Sequence, residues 1–142
     1  MNPETILYPS IAMAALTLGC IFWMGRCRYK AIHARRVSIR FFRTYDEGEQ
    51  PADLHRIARH VQNHFEVPPL LHVAVLMAFV SGAVSTLTVS LAWAFVALRG
   101  LHSVIHLGSN NVSQRFAVFG LSLVALSGLW IAVLLHILGA PA

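Results

Sequence analysis

The chain has 142 residues, of which 56% are hydrophobic and only 12% charged, and its mean hydropathy is +0.62. A soluble domain of this length has too little interior to hide that much apolar surface, and its usual charged share is about a quarter, so a membrane protein is the expected class. The net charge of +5 does not point to nucleic acid: seven of the eleven Lys and Arg are gathered in one stretch, 26–43, directly after an apolar run.

Three stretches carry no charge: 21 residues at 5–25, 32 at 67–98 and 27 at 116–142. About 20 apolar residues cross a bilayer core, so the first and last stretches each predict one helix. The middle one is too long for a single span and contains the small, polar run "SGAVST" at 81–86, which suits a tight turn between two helices. The expected helices cover about 5–25, 57–81, 85–107 and 115–138, an all-α four-transmembrane-helix bundle forming one membrane domain over 1–142. No Lys or Arg precedes the first run and the basic residues follow it, the reverse of a cleaved signal peptide, so it is expected to remain as helix 1.

The long loop 26–54 is basic first and acidic-polar afterwards ("YDEGEQPAD", 45–53), with Pro51 leading into helix 2 and Asp53 as its expected cap. A short polar turn, "GSNNVSQR" (108–115), joins helices 3 and 4. With four spans, the basic loop and the remaining arginines, Arg56, Arg59, Arg99 and Arg115, fall on one side. The positive-inside rule makes that side cytoplasmic and turns both termini outward, across the inner membrane in a bacterium. The basic loop is then a topology determinant and a contact for anionic headgroups. Cys20 and Cys27 have no CxxC neighbour and Cys27 faces the reducing side, so no disulfide is expected.

Helix 2 starts with polar groups where an apolar segment should begin. At about 100° per residue, Arg59, Asn63 and Glu66 share one narrow face, bordered by Arg56. On helix 3, Arg99, Ser103 and His106 share another, with His102 at its edge, and Arg115 opens helix 4 at the same level. An arginine can snorkel to headgroups, but a carboxylate and an amide turned to lipid are costly and are expected to face inward and pair. Spacing leaves two readings open: a structural Arg59–Glu66 pair bridged by Asn63, or a site for a charged ligand entering from the cytoplasm. His60/His64 and His102/His106 form two HxxxH pairs that could share a metal or flank a haem. They are fewer than membrane di-iron oxygenases use, and His60 and His64 lie about 100° or more around the helix from the arginine stripe. They are expected to be unrelated interfacial residues, with no metal. His72 and His136, inside apolar helices, are expected to be satisfied by a neighbouring carbonyl or hydroxyl, and Trp23, Trp93 and Trp130 are expected to be packing or interface anchors.

The stripe Arg59-x3-Asn63-x2-Glu66, at the start of the second of four spans, resembles the helix-2 signature of the MAPEG family, the membrane-associated proteins in eicosanoid and glutathione metabolism. The patch "RGLHSVIHL" (99–107), followed by Arg115, resembles the family's Arg-x-x-His-Thr/Ser-x-x-Tyr-Leu segment and the later arginine opening helix 4. The resemblance covers essentially the whole chain. It implies a homotrimer of four-helix protomers binding glutathione between subunits on the cytoplasmic side. Arg56, Arg59, Asn63, Glu66, Arg99, His102 and Ser103 are the implied cofactor-binding residues. Arg115 and His106 are the implied catalytic ones. Arginines can fork onto the two glutathione carboxylates while a carboxylate receives its ammonium. Thiolate activation against a lipophilic electrophile or hydroperoxide arriving through the bilayer would follow.

The sequence also departs from the family pattern. His106 stands where several catalytic members carry tyrosine, Phe116 where the prostaglandin-synthase branch has serine, and Val67 where familiar animal members have asparagine or threonine. The expected function is a membrane-bound glutathione-dependent transferase or peroxidase. The alternatives are a non-catalytic lipid-binding or assembly subunit of the same fold and a His-ligated metal or haem protein.

Overall fold

The computed structural model describes residues 2–45 and 48–139; part of the acidic stretch read in the loop, at 46–47, lies outside them. A short 3-10 turn, Pro3–Ile6, leads into α1 (Leu7–His33). There follow a one-turn α2 (Phe41–Thr44), α3 (Ala52–Glu66), α4 (Pro68–Ser81), α5 (Thr86–Leu107) and α6 (Val112–Ile137), and no strand occurs among the described residues. Four segments are long and apolar enough to cross a membrane: Pro3–His33, Ala52–Ser81, Thr86–Leu107 and Val112–Ile137. The chain is therefore an all-α, multi-pass membrane protein with four spans, as expected.

The boundaries differ from the expected ones. Helix 1 runs to His33, eight residues past its charge-free stretch, because Arg26–Lys30 offer no breaker. It stops only where Arg35 takes a left-handed φ of 54°. The second span begins at Ala52 rather than 57, with Pro51 at the cap position and Asp53 inside the first turn. It is also two helices in line, broken at Val67. Pro68 and Pro69 supply no N–H, so the carbonyls four residues earlier lose their helical donors and α3 ends there. Pro68 can then open a new helix, since a first-turn N–H has no partner to lose.

The turn after α4 falls where the small residues predicted it. Gly82 takes a left-handed φ of 76°, and Ser85 caps α5 in a reciprocal capping box with Thr88. At the other end, Asn110 holds a left-handed φ of 52° and its N–H reaches the Ile105 carbonyl at 2.7 Å. Asn111 then caps α6 by accepting from the Gln114 N–H at 3.1 Å.

α5 and α6 pack as an antiparallel hairpin, α4 lies against α6, and α1 crosses α3, α4 and α5. The interior has two halves. Around the Gly82 turn it is apolar: Leu71, Ala74, Val75 and Ala78 of α4 meet Ala92 and Phe95 of α5 and Ala125, Leu126, Leu129 and Val133 of α6, with Ile6 and Met13 alongside. Below the break the buried residues become polar: His60 and His64 of α3 and Arg99, His102, Ser103 and His106 of α5. A small cluster of Ala31, Val37, Phe41 and Leu54 closes the loop end. The two histidines within apolar helices have the partners expected of them: His72 Nδ1 lies 2.6 Å from Ser10 Oγ, and the exposed His136 Nε2 lies 3.3 Å from the Ser81 carbonyl. Trp23 and Trp93 are exposed on the outer surface.

Candidate functional site

α3 carries polar residues on both faces, and the chain buries a different face from the expected one. Leu54, Ile57, His60, Val61 and His64 point inward, whereas Arg59 and Glu66 are exposed and Asn63 half-buried. Among the described residues the anticipated Arg59–Glu66 pair does not form; Arg59 Nη1 instead donates to Gln62 Oε1 at 3.2 Å. The reason is geometric. His60 and His64 take the position against α1 and α5, and the stripe about 100° or more away then lies on the outer surface of the bundle.

The histidines are also not unrelated. His60 Nδ1 lies 3.2 Å from His106 Nδ1, and His60 Nε2 lies 3.3 Å from His64 Nε2. His102 stacks on His60 with centroids 6.1 Å apart and meets His106 edge-on at 5.5 Å. Among the described residues neither nitrogen of the buried His102 ring has a hydrogen-bond partner of ordinary distance and angle. Cys20 of α1 joins them, its Sγ 3.5 Å from His60 Nε2 and 3.8 Å from His64 Nε2. Both cysteines are free thiols. Sequence spacing shows each HxxxH pair but not their meeting, which requires α3 to lie beside α5.

Arg99 is fully buried between the two systems. Its Nη2 donates to the Asn63 carbonyl at 2.9 Å, near the break in the span, while Nε and Nη1 have no partner and its guanidinium faces the Phe119 ring at 5.5 Å. Ser103 Oγ donates to the Arg99 carbonyl at 2.9 Å and lies 3.4 Å from His64 Nε2.

Below this core a cavity of about 720 Å³ opens at the loop end. It is lined by five of the expected site residues, Arg56, Arg59, Asn63, His106 and Arg115, with Gln50, Asp53, His55 and Asn110. Glu66, Arg99, His102 and Ser103 lie outside it: Glu66 on the outer surface a turn above, the other three in the core. Among the described residues Arg56 Nε is buried without a partner, and Arg115 Nη1 donates to Asn110 Oδ1 at 2.8 Å while the rest of its fork makes no hydrogen bond. Asp53, read from sequence only as a cap, is the carboxylate of this cavity. It is held in a two-point ion pair with Arg36 of the basic loop at 2.8 and 3.1 Å. The Asp53 hydrogen bond and charge raise the Arg36 guanidinium further above its ordinary value. Three arginines converging on an open, polar cavity can bind a polyanionic small molecule.

No curated protein and no solved structure matches the chain. A family model described as the MAPEG family matches residues 6–135, nearly its whole length.

Proposed function

Because the chain belongs to the MAPEG family, we propose that it is a membrane-bound glutathione-dependent transferase or peroxidase whose cofactor occupies the arginine-lined cavity. Family membership supports a glutathione-related role in the membrane; the assignment of the residues is our own. The observation that carries it is the convergence of Arg56, Arg59 and Arg115 on one cavity of about 720 Å³, within the roughly 300–1,000 Å³ of small-molecule sites. The chain's residues fit the tripeptide. Two carboxylates need forked donors, which Arg56 and Arg59 supply, and the orphaned Arg56 Nε is a buried donor awaiting an acceptor. The ammonium needs an acceptor, which Asp53 and the Asn63 amide oxygen offer.

In this reading the thiol lies toward Arg115 and His106. A cation beside a thiol favours the thiolate, and the guanidinium is positioned by Asn110. Transfer consists of sulfur attack on an electrophilic carbon. A C–S bond forms while the bonding pair leaves with the displaced group, which then takes a proton. With a hydroperoxide, sulfur attacks the outer oxygen and the O–O bond breaks to release an alcohol. A second glutathione then displaces the oxygen as water and leaves the disulfide.

The outward stripe Arg59–Asn63–Glu66 gives this reading its assembly. A carboxylate facing lipid is costly, and an adjoining protomer of a trimer would cover Glu66 and complete the site between subunits. The loop end is cytoplasmic and the termini lie outside, since the basic residues gather at that end. The non-catalytic, ligand-presenting alternative is favoured by one observation: His106, in the place of the family tyrosine, is 3% exposed and its Nδ1 is engaged with His60.

Calorimetric titration of glutathione into the protein in nanodiscs, with Arg56→Ala and Arg59→Ala alongside, tests the proposal. Saturable binding that weakens in both variants is expected. Absence of binding by the folded wild-type protein overturns the proposal. Binding without turnover across an electrophile screen selects the alternative.

A further inference from the structure

The cluster on the inner face of α3 is separate from the arginine cavity and has a geometry of its own. Cys20 of α1 and His60 and His64 of α3 are all buried, and each presents one donor atom to a common point. Bonds of about 2.0–2.1 Å to imidazole nitrogen and 2.3 Å to thiolate sulfur, at tetrahedral angles, place two nitrogens about 3.3–3.4 Å apart and sulfur about 3.6 Å from nitrogen. The observed edges are 3.3 Å between the two Nε2 atoms and 3.5 and 3.8 Å from Sγ to them. We propose that Cys20, His60 and His64 form a binding site for a thiophilic d10 cation, zinc(II) or copper(I), that clamps α1 to α3 at the level of the break in the second span.

Three further features support this. The two histidines are four residues apart on one helix, so both Nε2 atoms point the same way without distortion. Their far nitrogens are already held: His64 Nδ1 lies 3.0 Å from Thr17 Oγ1, and His60 Nδ1 lies 3.2 Å from His106 Nδ1. Outer partners of this kind fix the ring orientation of metal-ligating histidines. Ser103 Oγ stands 3.4 Å from His64 Nε2 with its proton directed to the Arg99 carbonyl, which leaves its lone pairs free beside the three ligand atoms. The ligand set, one thiolate and two imidazoles, is one that selects zinc and copper over the oxygen-seeking cations.

His102 and His106 stand on the far side of His60 and offer no sulfur, which gives the test its controls. Protein in nanodiscs is stripped with a chelator and titrated with cobalt(II), as a spectroscopic probe for zinc(II), and separately with copper(I) under competition by a chelator of known affinity. One cobalt per chain is expected, with a thiolate-to-cobalt charge-transfer band that zinc displaces. The band is lost in Cys20→Ser and retained in Cys27→Ser and His102→Ala. Affinity for the preferred ion falls more than about 100-fold in Cys20→Ser and His64→Ala, beyond the 10–100-fold that loss of an outer partner costs. Tighter binding of copper(I) or of zinc(II) identifies the ion.

Should Cys20→Ser fail to fold, alkylation of the wild-type protein serves instead. An apolar depression of about 400 Å³ between α1 and α5 reaches Cys20 from the lipid side, so a lipophilic maleimide modifies it, and bound metal protects it. Folded protein that takes up neither ion overturns the proposal, as does a band that survives Cys20→Ser or metal that leaves Cys20 unprotected; the cluster is then a hydrogen-bonded one only. Glutathione binding, which does not use Cys20, is measured in the same samples and remains unchanged in Cys20→Ser.

Discussion

Asn110 holds two jobs that substitution can separate. Its backbone takes a left-handed φ of 52°, and its side-chain oxygen accepts from Arg115 Nη1 at 2.8 Å. Asn110→Ala removes the short polar side chain that makes Asn tolerant of this conformation, which costs an ordinary Cβ residue roughly 1–2 kcal/mol. Asn110→Gly removes the same amide but accepts the conformation without strain. Freeing Arg115 returns rotamer freedom that binding must then remove, about 1–2 kcal/mol, or roughly 5–30-fold in affinity. The expected result is therefore asymmetric. Thermal unfolding in nanodiscs shows Asn110→Ala destabilised by about 1–2 kcal/mol and Asn110→Gly near wild type, while calorimetry shows both weakened for glutathione by the same factor. Equal destabilisation of the two variants would refute the backbone argument. Wild-type affinity in Asn110→Gly would refute the idea that Asn110 positions Arg115.

Arg115→Ala removes a forked, charge-assisted donor and should weaken glutathione binding by about 1.5–3 kcal/mol, roughly 10–150-fold. Size-exclusion chromatography should find it eluting as the wild-type protein does. Leu129, with no exposed surface in the apolar half of the core, should cost about 2–5 kcal/mol on Leu129→Ala, read as a lowered unfolding midpoint. Ser85→Ala should cost about 0.5–2 kcal/mol by the same measurement, because the Thr88 N–H loses the Ser85 Oγ that accepts it at 3.2 Å.

The number of spans is legible because charge-free run length responds directly to bilayer thickness. The ends of the helices are less so. Hydropathy reports where the apolar stretch stops, whereas the hydrogen-bonded ladder of α1 continues through Arg26, Arg28 and Lys30 to His33. The "VPPL" at 67–70 carries a plain breaker signal, yet it lies within an uncharged run and reads as one span. The site was half legible. Periodicity correctly groups Arg59 with Asn63 and Glu66, but it cannot say which face turns inward. In water a polar face is the outer one; in a bilayer that cue is weakened, and α3 has polar residues all round. Only the packing of α1 and α5 against it selects His60 and His64. Asp53 was visible but assigned a local task, because its partner Arg36 is 17 residues away across a loop whose path spacing does not reveal.

The proline pair that divides the second span also limits where that division can sit. Pro68 and Pro69 leave the carbonyls of His64 and Phe65 without helical donors, at a level where the bundle interior is furnished with imidazoles, a serine and the guanidinium that already serves Asn63. One turn further along, the same pair would release the carbonyls at 68 and 69, against the apolar half of the interior built by Leu71, Ala74 and Val75, where the nearest polar pair, Ser10 and His72, is already engaged with itself. The break and the polar core are therefore mutually dependent. Neither can drift along the sequence alone, and an engineered relocation of the prolines succeeds only if the buried donors move with them.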